Sequence, residues 1–489
     1  MVLKKIEQVK INLREEIKDL LAFENQETAE ESKKRGKELR KAVPRSAHAY
    51  WEASPERISP ITLLNEQEAS RVKDLLPIRH ERMGASAFAF FRGSALIMAS
   101  DLSTTPTTGL NVQACGDAHI SNFGFFRSAE RHLVFDLNDF DETTRGPWEW
   151  DLKRLVASVE ICGRDRGFTE KQRQKAVRAA VESYQDHMLK FSEMSTMDVW
   201  YYHTNVDELY AQFGTNLKKK DRAYAEKVIN KAKAKDSARA VSKLTEIHDG
   251  KLRFVSKPPL VSPVRELIDE RLNAPLPPAV FDARKKFIAL VLHSYQETLR
   301  EDRRNLLRQF HGIDVARKVV GVGSVGTRCW IVLLEGLDKN DPLVLQIKEA
   351  QDSVLTRFTK KKAYDNNGRR VVEGQRAIQA TGDVLLGWTK AKNLDGTTRD
   401  YYVRQLWDGK GSIDLDTITP KRLTNLARAF GKTLARAHAR TGNRFAIAGY
   451  LGKGHAFSDA LVEFSSAYAD QNEKDYQLFL KEYASELSE

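Results

Sequence analysis

The segment from Val112 to Leu155 constrains this chain more than any other, because it sets acidic side chains and one asparagine into turns bracketed by apolar runs. It reads VQACGDAHISNFGFF, a short connection, then HLVFDLNDFDETTRGPWEWDLKRL. Val112 to Cys115 and His132 to Leu137 are short and apolar, so residues 116 to 131 are expected to project polar side chains from a strand-loop-strand frame. Asp117 opens that loop, Asn122 lies further along it, and Asp136, Asp139 and Asp141 cluster at the end of the second run. Acidic loops often do no more than cap turns and helices. Here a GDxHxxN loop, an NDFDE strand end and a Trp-Asp-Leu helix start succeed one another in one block, and that combination argues for chemistry.

In kinase-type phosphoryl transfer a loop aspartate orients or deprotonates the acceptor hydroxyl, and an asparagine holds magnesium with an aspartate from the following strand. Asp117, Asn122 and Asp139 supply those groups in that order, with Asp141 available to a second ion. Magnesium takes oxygen ligands and few of them from protein, so no cage of His and Cys is required. The loop GDAHISN resembles the HGDxHxxN loop of aminoglycoside phosphotransferases and related small-molecule kinases, and NDFDE resembles their I-D-F-x-[DE] metal segment. Asp151 is similar to the aspartate that opens the next helix in that superfamily, and Cys115 stands where its loop histidine would be. His119 has two readings, a catalytic one that approaches a phosphate and a structural one that hydrogen-bonds the loop backbone. The block, with Phe90-Phe91-Arg92-Gly93 upstream, also resembles a bacterial family described only as a domain of unknown function, over most of the chain. That second resemblance implies no activity.

The character changes near Gly312. VVGVGSVGTRCWIVLLEG carries Gly321, Gly323, Ser324 and Gly326 in GxGxxG spacing. A dinucleotide site needs a helix directly after the glycines. The next residues are instead Arg328 to Leu334, β-branched and aromatic, so the glycines are expected to join two strands as the hairpin that covers nucleotide phosphates in kinases. LVLQIKEA then sets Lys348 in an apolar run, either as the third-strand lysine that meets the α and β phosphates or as a solvated edge lysine. Glu373 in VVEGQRAIQA is the candidate helix partner for Lys348. Strands from Asp383 and Asp400 come next, and backbone groups from Gln405 to Trp407 are expected to form the adenine-side hinge. Residues 420 to 440 form an amphipathic helix that resembles the one leading into the HGD loop of phosphotransferases, yet no such loop comes after it.

The expected fold is therefore α+β, a kinase-like two-lobe arrangement in circularly permuted order, with a helical large lobe and an antiparallel β small lobe. Its parts are a helical arm and connection over 1–80, a helical region with the catalytic and metal loops over 81–311, a β-rich nucleotide lobe over 312–410, and returning helices over 411–489. Within it, residues 54 to 80 read as an irregular connection with one short helix near Glu66 to Leu75, and Ala85 to Leu102 as a buried helix or a pair. Asp151 to Thr196 and residues 279 to 310 read as long helices, and Trp200, Tyr201 and Tyr202 as core. Arg92, alone amid apolar sequence, requires an anionic partner, either a phosphate, a site carboxylate or an internal salt bridge.

Composition bounds the partners. The net charge of +12 attracts anions in general, and the basic runs Lys33 to Arg35, Lys218 to Arg222 and Lys360 to Lys362 lack interleaved aromatics, so they read as solvated faces rather than nucleic-acid contacts. No apolar run reaches the ~20 residues of a membrane span. The charged N-terminal stretch lacks a secretory core, and three scattered cysteines favour a reducing, cytoplasmic setting. The leading expectation is an ATP- and magnesium-dependent phosphotransferase that binds nucleotide and an acceptor of unread identity, small molecule or protein. Its rivals are nucleotidyl (AMP) transfer on the same residues, a non-catalytic kinase-like scaffold, and a basic nucleic-acid binder.

Overall fold

The runs after the glycines, Cys329–Glu335 and Pro342–Ala350, bury nearly every side chain, which only a sheet covered on two sides permits, whereas His311–Lys318 before them is mostly half-buried or exposed. In the computed structural model, which describes residues 27–207, 210, 219–233, 237–248, 250–266, 268–269, 274–275, 278–359, 364–392, 396–406 and 411–487, they form one antiparallel sheet. Its order is Gly387–Lys392, Thr398–Gln405, Pro342–Ala350, Cys329–Glu335, His311–Lys318 and Val261–Pro263. Against one face lie Ile288, Val291 and Tyr295 of the helix Pro278–Gln296, packed with Val332, Leu334 and Leu345. Against the other lie Val241 and Leu244, clustered with Phe254, Ile331, Leu333 and Val344. The helix Asn367–Ile378 connects the central strand Pro342–Ala350 to the edge strand, and its Val371, Val372 and Ile378 enter the main helical core.

That core surrounds the helix Trp148–Asp165, which is buried along nearly its whole length. Glu170–Glu193, Pro420–Thr441 and Ala456–Glu482 pack around it. A Cβ built on Gly431 would stand 2.1 Å from the Ala180 carbonyl oxygen, so Pro420–Thr441 and Glu170–Glu193 cross backbone to backbone. The chain is thus a mixed α+β fold with a helical region and an antiparallel sheet region.

One junction ties the helix Pro420–Thr441 to the strand that enters the Asp117 loop. Pro420–Thr441 ends against the strand Asn111–Ala114, where the Gln113 N–H donates to Thr441 Oγ1 at 3.2 Å. The Arg145 guanidinium, on the strand Thr144–Pro147 paired with Asn111–Ala114, closes the same junction by donating to the Thr441 carbonyl. Pro420–Thr441 therefore stops at the start of the strand that leads into the Asp117 loop.

Several local expectations are corrected. Phe123–Arg127 is a strand paired with Leu133–Leu137, so the loop after Cys115 closes at Asn122 rather than at residue 131; FGFFR buries Phe123 and pairs instead of looping. Residues 54–80 hold the helix Pro60–Glu68 and the start of Leu76–Gly84, with Pro60 and Pro77 accommodated in first turns where no N–H is needed. Ala87–Gly93 and Ala95–Leu102 are the paired short helices. The run from Asp151 breaks at Gly167, and Glu301–Leu307 is separate from Pro278–Gln296. Trp200 and Tyr201 are exposed, while Tyr202 packs edge-on to Phe191. The N-terminal helix Ala29–Ala42 is no loose arm: its Gly36 and Gly449 of Arg444–Leu451 let the two backbones touch. Residues 1–26, Lys218, Lys360 to Lys362 and Trp407 lie outside the described residues.

Candidate functional site

The loop that carries Asp117 is built from beneath by Asp151. Its carboxylate, 1% exposed, accepts the Cys115 N–H at 2.7 Å and the Gly116 N–H at 2.9 Å, and meets His438 Nε2 at 3.2 Å. Because a carboxylate can only accept, Nε2 carries a proton, and His438 Nδ1 lies 2.8 Å from the Tyr184 hydroxyl. Gly116 adopts φ +85, and a Cβ there would strike the Glu142 carbonyl at 2.2 Å, so only glycine lets the loop lie against the acidic segment. Cys115 Sγ donates to the Asp139 carbonyl at 3.3 Å, and burial together with the Asp151 charge pushes its thiol far up.

These anchors bring Asp117, His119, Asn122, Asp139 and Asp141 into one cleft, faced by Gly321, Gly323 and Ser324 of the glycine turn. Asp117 Oδ1 accepts from Arg154 Nε at 2.8 Å, leaving Oδ2 toward Asn122 Nδ2 at 3.4 Å and His119 Nε2 at 3.6 Å. Asn122 Nδ2 also donates to the Asp117 carbonyl at 2.7 Å, which turns its Oδ1 the other way. His119 Nδ1 accepts the Ser121 N–H, and burial, with Arg154 and Arg92 nearby, holds the ring well below its usual pKa. Through Nδ1 His119 fixes the loop backbone, and its ring also lines the cleft. Asp139 Oδ1 accepts the Asp141 N–H at 3.3 Å.

Lys348 meets this cleft from the sheet. Its ammonium pairs with Asp141 Oδ2 and donates to Ser324 Oγ at 2.7 Å, and Asp141 also accepts from Tyr402 Oη at 2.8 Å and Ser324 Oγ at 3.0 Å. Burial alone would raise the Asp141 carboxyl, but the Lys348 charge and the Lys348 and Tyr402 donors hold it below the usual carboxylate range. Lys348 in turn is raised above the ordinary lysine range, because Asp141 beside it outweighs burial. Burial pushes Glu142 up to about 7, against the Val354 N–H at its Oε2 and the charge of Arg370.

The partner expected for Lys348 is corrected. Glu373 pairs with Arg376 at 3.1 Å, one turn along its own exposed face, whereas Asp141 reaches the ammonium directly. Gln405 donates through both its backbone N–H and its Nε2 to Asp383, and it lines a second cleft with Asn138, Gln379 and Arg404. Gly326, at φ +89, serves the turn and backs onto Arg71 instead of the cleft. Asp136 is withdrawn from the acidic cluster into a buried ion pair with Arg436.

Sequence reasoning missed what holds the glycine turn. Arg71 donates to the Val325 and Gly323 carbonyls, Arg79 to Val322 at 3.0 Å, and Arg82 to Val320 at 2.6 Å. These arginines come from a connection far earlier in the chain, and no spacing signal links them to the glycines. Arg154 was hidden likewise inside an amphipathic helix.

Among the described residues, no group of three or more His, Cys, Asp and Glu side chains is arranged to hold a metal ion unaided. Asn122, Asp139 and Asp141 are the oxygen-bearing side chains of the cleft that could serve an ion taking most of its ligands from phosphates and water, as magnesium does. Among the described residues no helix is long and apolar enough to cross a membrane. Residues 71–482 match the family described as "Uncharacterized protein conserved in bacteria (DUF2252)", and the chain belongs to it. No curated protein and no solved structure matches the chain.

Proposed function

We propose that this DUF2252 chain is an ATP- and magnesium-dependent phosphotransferase with a kinase-like, circularly permuted architecture. One convergence carries the reading: Asp117, Asn122, Asp139 and Asp141 meet the glycine turn in a single cleft, and Lys348 bridges Asp141 and Ser324. The turn joins the first two strands of the run beginning at His311, Lys348 is on the third, and a helix comes after it, the succession kinases use for the nucleotide. The junction of Thr441 with Gln113 supports permutation, since the helix that resembles the one entering the HGD loop ends beside the strand that enters this loop. Relocated chain ends are tolerated where packing is kept. In this reading 312–410, extended backward by Val261–Pro263, is the small lobe, and 81–311 with 411–489 make the large one.

Bound magnesium would neutralise charge on the nucleotide phosphates. Asn122 Oδ1 and the Asp139 and Asp141 carboxylates would hold it, and Lys348 would exchange part of its contact with Asp141 for a phosphate. Asp117, with Oδ1 committed to Arg154, would orient the acceptor hydroxyl through Oδ2. The test is calorimetry of ATP with and without magnesium, on the parent and on Asp139→Ala. Magnesium-dependent binding lost in the variant supports the reading; no binding at millimolar ATP to folded protein refutes it. Label carried on the α or the γ phosphate then separates nucleotidyl from phosphoryl transfer.

A further inference from the structure

We infer that the acceptor carries an anionic group, a phosphate or a carboxylate, and that Arg92 binds it; this rests on the phosphotransferase reading of the same cleft. Arg92 lines the cleft with Gln67, Gly93 and Ala95 beside Asp117. Its Nε is buried with no hydrogen-bond partner. The carboxylate nearest in influence, Asp117, is already engaged by Arg154 at 2.7 Å. An unsatisfied buried donor is costly, and a guanidinium loses more than an amide because its charge is desolvated with it. An incoming anion removes that cost, and the planar fork of arginine matches a carboxylate or phosphate edge with two bonds.

Charge fixes which part of a substrate Arg92 meets. On the Asp117 side of the cleft Arg154 occupies Asp117, and Asp416 acts on Arg92 only at longer range, so the buried Nε of Arg92 is left for an incoming anion. Toward Lys348 the balance is opposite, with Asp139 and Asp141 present and a metal ion expected. The nucleotide phosphates belong to that second region. Arg92 therefore addresses the molecule whose hydroxyl Asp117 orients. A polycationic acceptor such as an aminoglycoside would be repelled here, in spite of the resemblance of the loop.

The probe is inorganic phosphate, titrated calorimetrically into the full chain with and without magnesium and a non-hydrolysable ATP analogue. The expected result is phosphate binding that persists with the analogue, weakens at least about tenfold in Arg92→Gln, and weakens less in Arg92→Lys, which keeps charge but loses the fork. Affinity for the magnesium-bound analogue should change by less than about threefold in both variants. Phosphate binding unchanged in Arg92→Gln overturns the inference, as does a matched loss of analogue binding, which would assign Arg92 to the nucleotide. Should Arg92→Gln fail to fold, Arg92→Lys decides alone, with unchanged phosphate affinity overturning the inference. Analogue binding without any phosphate binding refutes this inference only, whereas phosphate held through Arg92 without analogue binding refutes the phosphotransferase reading only.

Discussion

Asp151→Asn is the sharpest probe of how the Asp117 loop is held. The side chain keeps its shape, but one of its two accepting oxygens becomes a donor. In the less damaging orientation the new amide faces only the Gly116 N–H, now 2.9 Å from Asp151 Oδ1, while the Cys115 and His438 contacts survive as neutral bonds. An orphaned buried N–H costs about 1–3 kcal/mol, and turning two charge-assisted bonds into neutral ones costs roughly 0.5–1 kcal/mol each. The sum is about 2–5 kcal/mol. It should fall mainly on the loop, because the helix Trp148–Asp165 retains its apolar contacts. Amide hydrogen exchange over residues 111–122 should then accelerate by a factor on the order of 30 to several thousand at constant intrinsic rate. Mass spectrometry of peptides spanning that segment measures it. Exchange within about threefold of the parent would mean that Asp151 does not anchor the loop.

Lys348→Met should destabilise by about 3 kcal/mol in urea, because it leaves Asp141 buried without its cation, and adding Asp141→Asn should recover most of the loss; a double variant no more stable than the single would refute the pairing. Lys153 is buried with no hydrogen-bond partner at Nζ, and burial, opposed only by Glu149, pushes it down to about 7. The unfolded chain then binds more protons than the folded one between about pH 7 and the ordinary lysine value, so this residue makes stability rise with pH across that window. Lys153→Met should remove that rise and add about 1–3 kcal/mol at pH 7; parallel stability–pH curves for parent and variant would contradict it. Gly431→Ala should cost several kcal/mol, on the order of 3, since its methyl would meet the Ala180 carbonyl at 2.1 Å, and a melting temperature within a degree of the parent would exclude so close a crossing.

The features legible in the sequence were those that sit within one short window. Lys348 stood out because a charge in a run of strand residues needs a reason, and the loop of Asp117 and Asn122 because its residues are consecutive. The partner of Lys348 could not be read the same way. Glu373 was nearer in sequence, but Asp141 reaches Lys348 only through tertiary packing, and sequence distance carries no such information. Asp136 and Asp139 differ by three positions, yet strand alternation and the turn after Leu137 send one to Arg436 in the interior and the other to the cleft. Arg92 showed itself as an anomaly with three explanations. Among the described residues no carboxylate forms an ion pair with it, although Asp117 and Asp416 both act on its charge.

The junction of Thr441 with Gln113 also sets a schedule. The ribosome releases the Asp117 loop early, but two of its supports, Thr441 and His438, are encoded far later in the chain. At about 5–20 residues per second, the gap between residues 117 and 441 takes roughly 16–65 s to synthesise. During that time the loop lacks the contacts that would set its shape, and closing so long a segment is entropically costly until the helix arrives. A nascent or truncated chain thus carries the cleft residues without their geometry. Assembly of the cleft is a late event, and any competence it has reports that the helix Pro420–Thr441 has been made and docked.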